Sequence, residues 1–274
     1  MRCITRRTDY TSRSDTFRLY LLADTHLGNL HADERTLRAV AREIADDDHA
    51  YWCHLGDMGE FINLRDPRFD PMELVGWLLG NEELADIGRA EAMRFLDIMG
   101  PVKSRCLAVC SGNHEDAILR HSETDVYGTI IEGLADGANE HRLDHRGCVT
   151  WVFNRTVSDK GTRWALRLLL THGSGGGRSA GAAANKLRDI VDQMDGIDVA
   201  AMGHLHVAEW KPVSKLRIGR KDTERVMIHA ISCPALCADM RYADSRDYRP
   251  TPTGYVVIEI EPDKRKVDVK LCVG

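Results

Sequence analysis

Five apolar, strand-like segments of this 274-residue chain run directly into acidic, amide or imidazole residues. "FRLYLLAD" ends at Asp24, with His26 just beyond, and "AYWCHLGD" ends at Asp57. "RCLAVC" leads into "SGNHED", which carries Asn113 and His114. "TRWALRLLLTHG" carries His172, and "IDVAAMGHLH" ends in His204 and His206. In an open α/β sheet the carboxyl ends of the strands share one edge, where ligands bind. Oxygen and imidazole donors without thiolate suit two divalent first-row ions better than a closed structural zinc site. One carboxylate can bridge two ions, and Asp57 is the natural candidate. Asp24 and His26 lie two apart, so an extended segment would turn both to the same side, and His204 and His206 repeat that spacing. Gly56, Gly112 and Gly203 each precede one of these residues, where the chain must pass close beneath an ion. A polar turn would account for any single strand end; five in order favour a site.

The elements that must position these residues alternate. "DERTLRAVAREIADDD" (33–48) reads as a helix with Leu37, Val40, Ala41 and Ile44 on one face. "NEELADIGRAEAMRFLDIMG" (81–100) is amphipathic, with Leu84, Ile87, Ala92, Phe95, Leu96 and Met99 as core positions. Helices are expected at about 116–136 and at 181–194. Strands are expected at 148–156 and 162–173, and "ERVMIHAISC", "TGYVVIEIEP" and "RKVDVKLCV" give a β-rich end. The pattern predicts one α/β domain over 1–274, with helices covering sheets. Residues 61–104 form a helical insertion that shapes the substrate cleft.

Composition bounds the function. Hydrophobic residues make up 43% and charged residues 29%, which fits a globular protein with a core. A net charge of −5 lacks the basic excess of a nucleic-acid coat, although bound ions can supply positive charge locally. No apolar run suggests a leader or a membrane span. The eight cysteines read as reduced thiols in a cytoplasmic protein. Cys106 and Cys110, about 13 Å apart in a strand, cannot chelate one ion, and "CPALC" (233–237) is a weak metal candidate.

"DTH", "GD", "GNHE", "THG" and "GHLH", in this order across 24–206, resemble the signature of the calcineurin-like metallophosphoesterase superfamily. The resemblance implies a four-layer α/β/β/α sandwich of two mixed β-sheets flanked by helices. It implies that Asp24, His26 and His206 hold one ion, that Asn113, His172 and His204 hold a second, and that Asp57 bridges them. His114 would face the scissile phosphate. "GDMGE" departs from many members, which carry Asn or Asp where Glu60 stands.

That resemblance implies phosphoester hydrolysis by metal-hydroxide attack on phosphorus, with His114 protonating the leaving oxygen or orienting the phosphoryl group. Asp116 is a neighbour that could orient His114. Manganese fits the mixed oxygen and nitrogen donors, with iron, zinc and nickel as alternatives. The expected substrate is a phosphodiester of a nucleotide or nucleic acid. The alternatives are a phosphomonoester (a phosphoprotein or a small ester) and a non-catalytic metal-binding scaffold. Arg178 in "GSGGGRSAG" (173–181) and His31 are candidate substrate contacts. The arginines and tyrosines of "DMRYADSRDYRP" (239–250) could meet a nucleic-acid strand. His54 reads as a packed strand histidine, and His121, His141 and His145 as surface or supporting residues.

Overall fold

The computed structural model describes the chain except residues 136–139, 158–162, 178, 219–221 and 239–249. Two sheets stack face to face. One has the strand order β11-β10-β2-β3-β4, built from β2 (Phe17–Leu22), β3 (Ala50–His54), β4 (Cys106–Val109), β10 (Gly254–Glu261) and β11 (Lys266–Val273). The other has the order β1-β5-β6-β7-β9-β8. It is built from β1 (Arg2–Tyr10), β5 (Arg146–Arg155), β6 (Arg163–Thr171), β7 (Val199–Met202), β8 (Glu209–Ile218) and β9 (Thr223–Ser232). Parallel and antiparallel pairs occur in both.

Leu19, Leu21, Trp151, Leu168 and Ile258 belong to one apolar cluster fed by both sheets. Trp151 also donates its indole N–H to Thr8 Oγ1 (2.8 Å), so β1 is fixed to β5 by a buried polar bond as well as by its ladder. The outer face of the five-stranded sheet is covered by α1 (Glu34–Asp46), α3 (Ile87–Met99), α4 (Asn113–Ser122) and α5 (Val126–Leu134), whose apolar faces form a second cluster with Leu22 and Trp52. α6 (Ala180–Asp192) covers the six-stranded sheet through Ala183, Leu187 and Val191. The layers are therefore helix, sheet, sheet, helix, as expected. Among the described residues no helix is long and apolar enough to cross a membrane.

Several boundaries differ from the sequence reading. The single helix expected at 81–100 is two, because α2 (Asn81–Ala85) stops and Asp86 caps α3 by accepting from Arg89 N–H (3.2 Å). Leu84 and Leu96 are only half-buried, whereas Ile87, Ala92, Phe95 and Met99 are core. The helix expected from 116 begins at Asn113 and breaks at Glu123, which has φ 57°. Asn113 and His114 thus stand on the first turn of α4, where a helix presents unpaired N–H groups. β1 and β8 were not expected as strands.

Candidate metal centre

The strand ends do not stay extended. Asp24, His26, Asp57, His204 and His206 have φ of 49°, 43°, 55°, 68° and 56°, the left-handed region that side chains rarely adopt. The expectation that Asp24 and His26, or His204 and His206, share a side through extended backbone is therefore corrected, because each pair sits on left-handed turns. Such residues cost on the order of 1–3 kcal/mol each and persist only where surrounding structure over-determines them. Here the surroundings are the two neighbouring loops. Asp24 N–H donates to Gly56 O (3.1 Å), His26 N–H to Asp57 O (3.2 Å) and Glu60 N–H to Leu27 O (2.8 Å).

Glu115 locks the next loop to these. Its buried carboxylate accepts from the N–H groups of Gly112 (2.7 Å), Met58 (2.7 Å) and Asp57 (3.1 Å). Burial and the nearby Asp57 charge push its pKa up to about 7 against those donors. Close approach explains Gly112: a Cβ there would lie 2.0 Å from Asp57 Oδ1. It also explains Gly56, whose added Cβ would lie 2.8 Å from Gly112 N and from His172 Nδ1.

Three groups of donor atoms result, the atoms of each lying within 4.8 Å of one another: Asp24, His26 and His206; His26, Asp57 and His114; Asp57, His172 and His204. His206 Nε2 is 3.5 Å from Asp24 Oδ1. His172 Nε2 is 3.2 Å from Asp57 Oδ2, 3.2 Å from His204 Nδ1 and 3.0 Å from Asn113 Oδ1. Asp57 Oδ2 is also 4.0 Å from His26 Nε2, so this one oxygen stands between the two sets. The donor atoms of each of the three groups are close enough together to share one ion.

In three of these imidazoles the other nitrogen is committed. A carbonyl oxygen can only accept, so His172 Nδ1 donates to Leu55 O (2.9 Å) and His204 Nε2 donates to Gly175 O (2.9 Å). His26 Nδ1 donates to the Glu60 carboxylate (2.9 Å). These bonds leave His172 Nε2, His204 Nδ1 and His26 Nε2 as the atoms facing the centre, the arrangement that metal-bound histidines require. His26 Nε2 is buried and has no hydrogen-bond partner among the described residues. A buried polar atom left in this way is costly unless something fills its lone pair. The residues therefore fit the two divalent ions that the donor set suggests.

Electrostatics agree. Burial alone would raise the Asp24 carboxyl, but His206 and His172 outweigh it and hold it at about 2. Burial would lower His26, but Glu60, Asp57 and Asp24 raise it to about 9. Burial likewise opposes His172, which Asp57 and Asp24 raise to about 10. In the ion-free chain, protons thus stand where ions would compete for the same lone pairs.

His114 completes the second of these groups, with His26 and Asp57. Its backbone N–H donates to Asp57 Oδ1 (2.9 Å), and its Nδ1 donates to the carbonyl oxygen of Glu60. Its ring meets that of His26 edge-on at 4.7 Å between centroids. It lines a cavity of about 400 Å³ together with Asp57, Asn113, His204 and His206. Asp116 does not orient it. Asp116 accepts from His145 Nε2 (2.7 Å) and Arg120 instead, so that expectation is corrected: one helical turn carries the two side chains to different neighbours.

Sequence reasoning left Glu60 without a role, and it passed over Glu91 and Arg68. Glu91 is fully buried on α3 and accepts from Phe61 N–H, bracing the loop that carries Glu60. An acid on the core-facing stripe of α3, between Gly88 and Ala92, was the available signal. Arg68 lines the cavity, but nothing in its sequence neighbourhood set it apart from the chain's other arginines.

Other expected residues fall elsewhere. His31 is half-buried before α1, its backbone carbonyl accepting from Ala238 N–H, and it is not among the residues lining the cavity. Arg178 and nearly all of 239–250 lie outside the described residues. His54 is packed in the core against Phe95, and burial pushes its pKa down to about 3. His121 is exposed. His141 is buried, with Nδ1 3.1 Å from Arg6 Nη2, so it is not a surface residue. No cysteine joins the donor groups among the described residues.

No protein-family model and no curated protein matches the chain. Solved structures with a similar arrangement include a conserved uncharacterized protein of Streptococcus pneumoniae described as a predicted phosphoesterase. It is 12% identical, covers 95% of this chain and 99% of its own, and has a TM-score of 0.35. They also include NAD nucleotidase of Haemophilus influenzae, at 11% identity over 94% of this chain, with a TM-score of 0.42. This chain spans 50% of that enzyme's length. A phosphatase of Mycoplasma pneumoniae is 11% identical over 94% of each chain, with a TM-score of 0.34. At these values none of the three decides what this chain does.

Proposed function

We propose that this protein is a dinuclear metal-dependent phosphoesterase of the calcineurin-like kind, acting on phosphodiesters of nucleotides or nucleic acid. The observation that carries the reading is the set of committed histidine tautomers. His26, His172 and His204 each give one nitrogen to a fixed acceptor and turn the other toward Asp24, Asp57 or Asn113.

Asp24, His26 and His206 would hold one ion, Asn113, His172 and His204 the other, and Asp57 both. When bound, the ions, manganese by preference, supply Lewis acidity toward the phosphate oxygens and lower the pKa of water. The chain's own residues supply the rest. The first turn of α4 sets Asn113 and His114 side by side, so one metal donor and the proton source share one element. Because His114 Nδ1 is tied to Glu60 O, its Nε2 is the nitrogen left for substrate. In its protonated form Nε2 gives its proton to the leaving oxygen as the phosphorus–oxygen bond breaks, and the Nδ1–H bond to Glu60 holds the ring throughout. The segment 61–104 contributes Ile62, Arg68 and Glu73 to the cavity and so forms one wall of the cleft. A cytoplasmic setting fits eight cysteines carried as free thiols.

Parallel assays on a model diester and a model monoester test the reading. Faster turnover of bis(p-nitrophenyl) phosphate than of p-nitrophenyl phosphate is expected. A clear preference for the monoester would replace the diester reading with the monoesterase one. No hydrolysis by manganese-restored protein across a broad panel of esters would favour a non-catalytic scaffold.

A further inference from the structure

Arg68 stands in the same cavity as Asp57, Asn113 and His114, and it is the only lysine or arginine among the described residues lining it. It is held more firmly than an ordinary cleft arginine. Asp66, 5% exposed, accepts from Arg68 Nε (3.0 Å) and Nη2 (2.8 Å) in a two-pronged pair and from Arg68 backbone N–H (2.9 Å). Asp66 is itself set by the loop. Its N–H donates to Asn63 O (2.9 Å), and Phe69 N–H donates to its carbonyl (3.0 Å). Asn63 Nδ2 donates to Ser122 Oγ (2.7 Å), tying the loop to the end of α4. Among the described residues Nη1 has no acceptor, so one edge of a fixed guanidinium remains for a ligand.

Arg68 also borders a small hollow lined by Gly28, Asn29, Glu60, Asp70 and Glu73, which includes none of the seven residues assigned to the ions. Arg68 thus lines both the cavity and this adjoining hollow. The single negative charge of a diester is met by the ions, and a second anion has no other fixed cation to meet among the described residues lining the cavity. A guanidinium whose pair with Asp66 already fixes its rotamer loses little entropy on binding, and charge-assisted bonds to phosphate are among the stronger polar contacts.

The geometry points to Arg68 as a substrate contact that takes a second phosphate, adjoining the one that is cleaved. This rests on the phosphodiester reading above and narrows it to substrates carrying a neighbouring phosphate, such as a 5′-phosphorylated dinucleotide.

The test compares dithymidylate with a 5′-phosphate against dithymidylate with a 5′-hydroxyl. Both are measured on wild type, Arg68→Ala and Arg68→Lys, with manganese for turnover and in EDTA for calorimetric binding without turnover. The wild type is expected to favour the phosphorylated dinucleotide in kcat/KM and in affinity. Arg68→Ala is expected to lower that preference about tenfold, through KM rather than kcat, and Arg68→Lys to restore part of it. An equal loss on both dinucleotides would overturn the proposal, because Arg68 would then touch the scissile group or support the fold. An unaltered preference would overturn it as well. If the wild type cleaves neither dinucleotide, the diesterase reading fails, while the binding preference in EDTA still decides whether Arg68 takes the second phosphate.

Discussion

His26 Nδ1 stands 2.9 Å from Glu60 Oε2, and that bond decides which nitrogen of His26 is left to face Asp24 and Asp57. Glu60 reaches two residues of the centre at once, since its carbonyl accepts from His114. Replacing the side chain alone separates the two. Glu60→Ala should weaken metal binding by about 10–100-fold, the usual loss when the acceptor behind a ligating histidine is removed. The His114 contact, which is to backbone, should remain. Competition with a fluorescent chelator reads the affinity. Wild-type affinity in the variant would mean that His26 is not a ligand.

Asp57→Asn keeps the acceptor for His114 N–H but removes the charge placed between the two donor sets. It should abolish hydrolysis and cost at least one ion per chain while leaving far-UV circular dichroism unaltered. Full activity would show that Asp57 does not bridge.

His114→Ala should lower kcat about 10²–10⁴-fold, the range of a lost general acid, with metal content retained. The loss should shrink when the leaving group is p-nitrophenol, which departs without a proton. A loss of both ions would make His114 a ligand instead. An equal penalty for good and poor leaving groups would deny it the proton.

The shifts at His26 and His172 give a pH prediction. Both are raised, to about 9 and about 10, from an ordinary value of 6.5. Near pH 7.5 the ion-free chain therefore holds extra protons that the unfolded chain has largely lost. An ion must displace those protons, so metal affinity should rise with pH, and binding should release protons to the buffer. By the same sign, their contribution to the stability of the ion-free chain is complete below pH 6.5 and is lost as pH climbs through 9 to 10. Calorimetry in buffers of different ionisation enthalpy reads the release. A binding heat that ignores the buffer would contradict the assignment.

Glu91 carries the opposite sign. Burial pushes its carboxyl well above 4.5, so folding takes up a proton between pH 4.5 and the raised value, and stability falls as pH rises there. Glu91→Gln keeps an acceptor for Phe61 N–H and removes the titration. Its melting temperature relative to wild type should improve from pH 5 to pH 8. A difference independent of pH would mean that Glu91 is ionised in the fold.

The ordered donor residues were legible in the sequence because each follows a buried strand, and strand ends need little else to converge. The same local logic gave α1 and α6 nearly to the residue. It failed where the signal was not local. β1 carries charged residues between its few buried ones and becomes a strand only through its pairing with β5. The left-handed turns at Asp24, His26 and His204 are tied by bonds to other loops, so no local propensity announces them. Asp116 was assigned to His114 by adjacency in sequence, which a helix turns into separation in space. Glu60, Glu91 and Arg68 act through partners about 30 or more residues away, or through a loop whose shape the sequence does not print.

Two ions, held by these seven side chains, should be required for hydrolysis. Protein stripped with chelator and titrated with Mn²⁺ while bis(p-nitrophenyl) phosphate turnover is followed tests it most directly. No turnover is expected in the stripped protein, with recovery that saturates at two equivalents of Mn²⁺ per chain. Turnover that survives stripping, or that saturates at one equivalent, would contradict it.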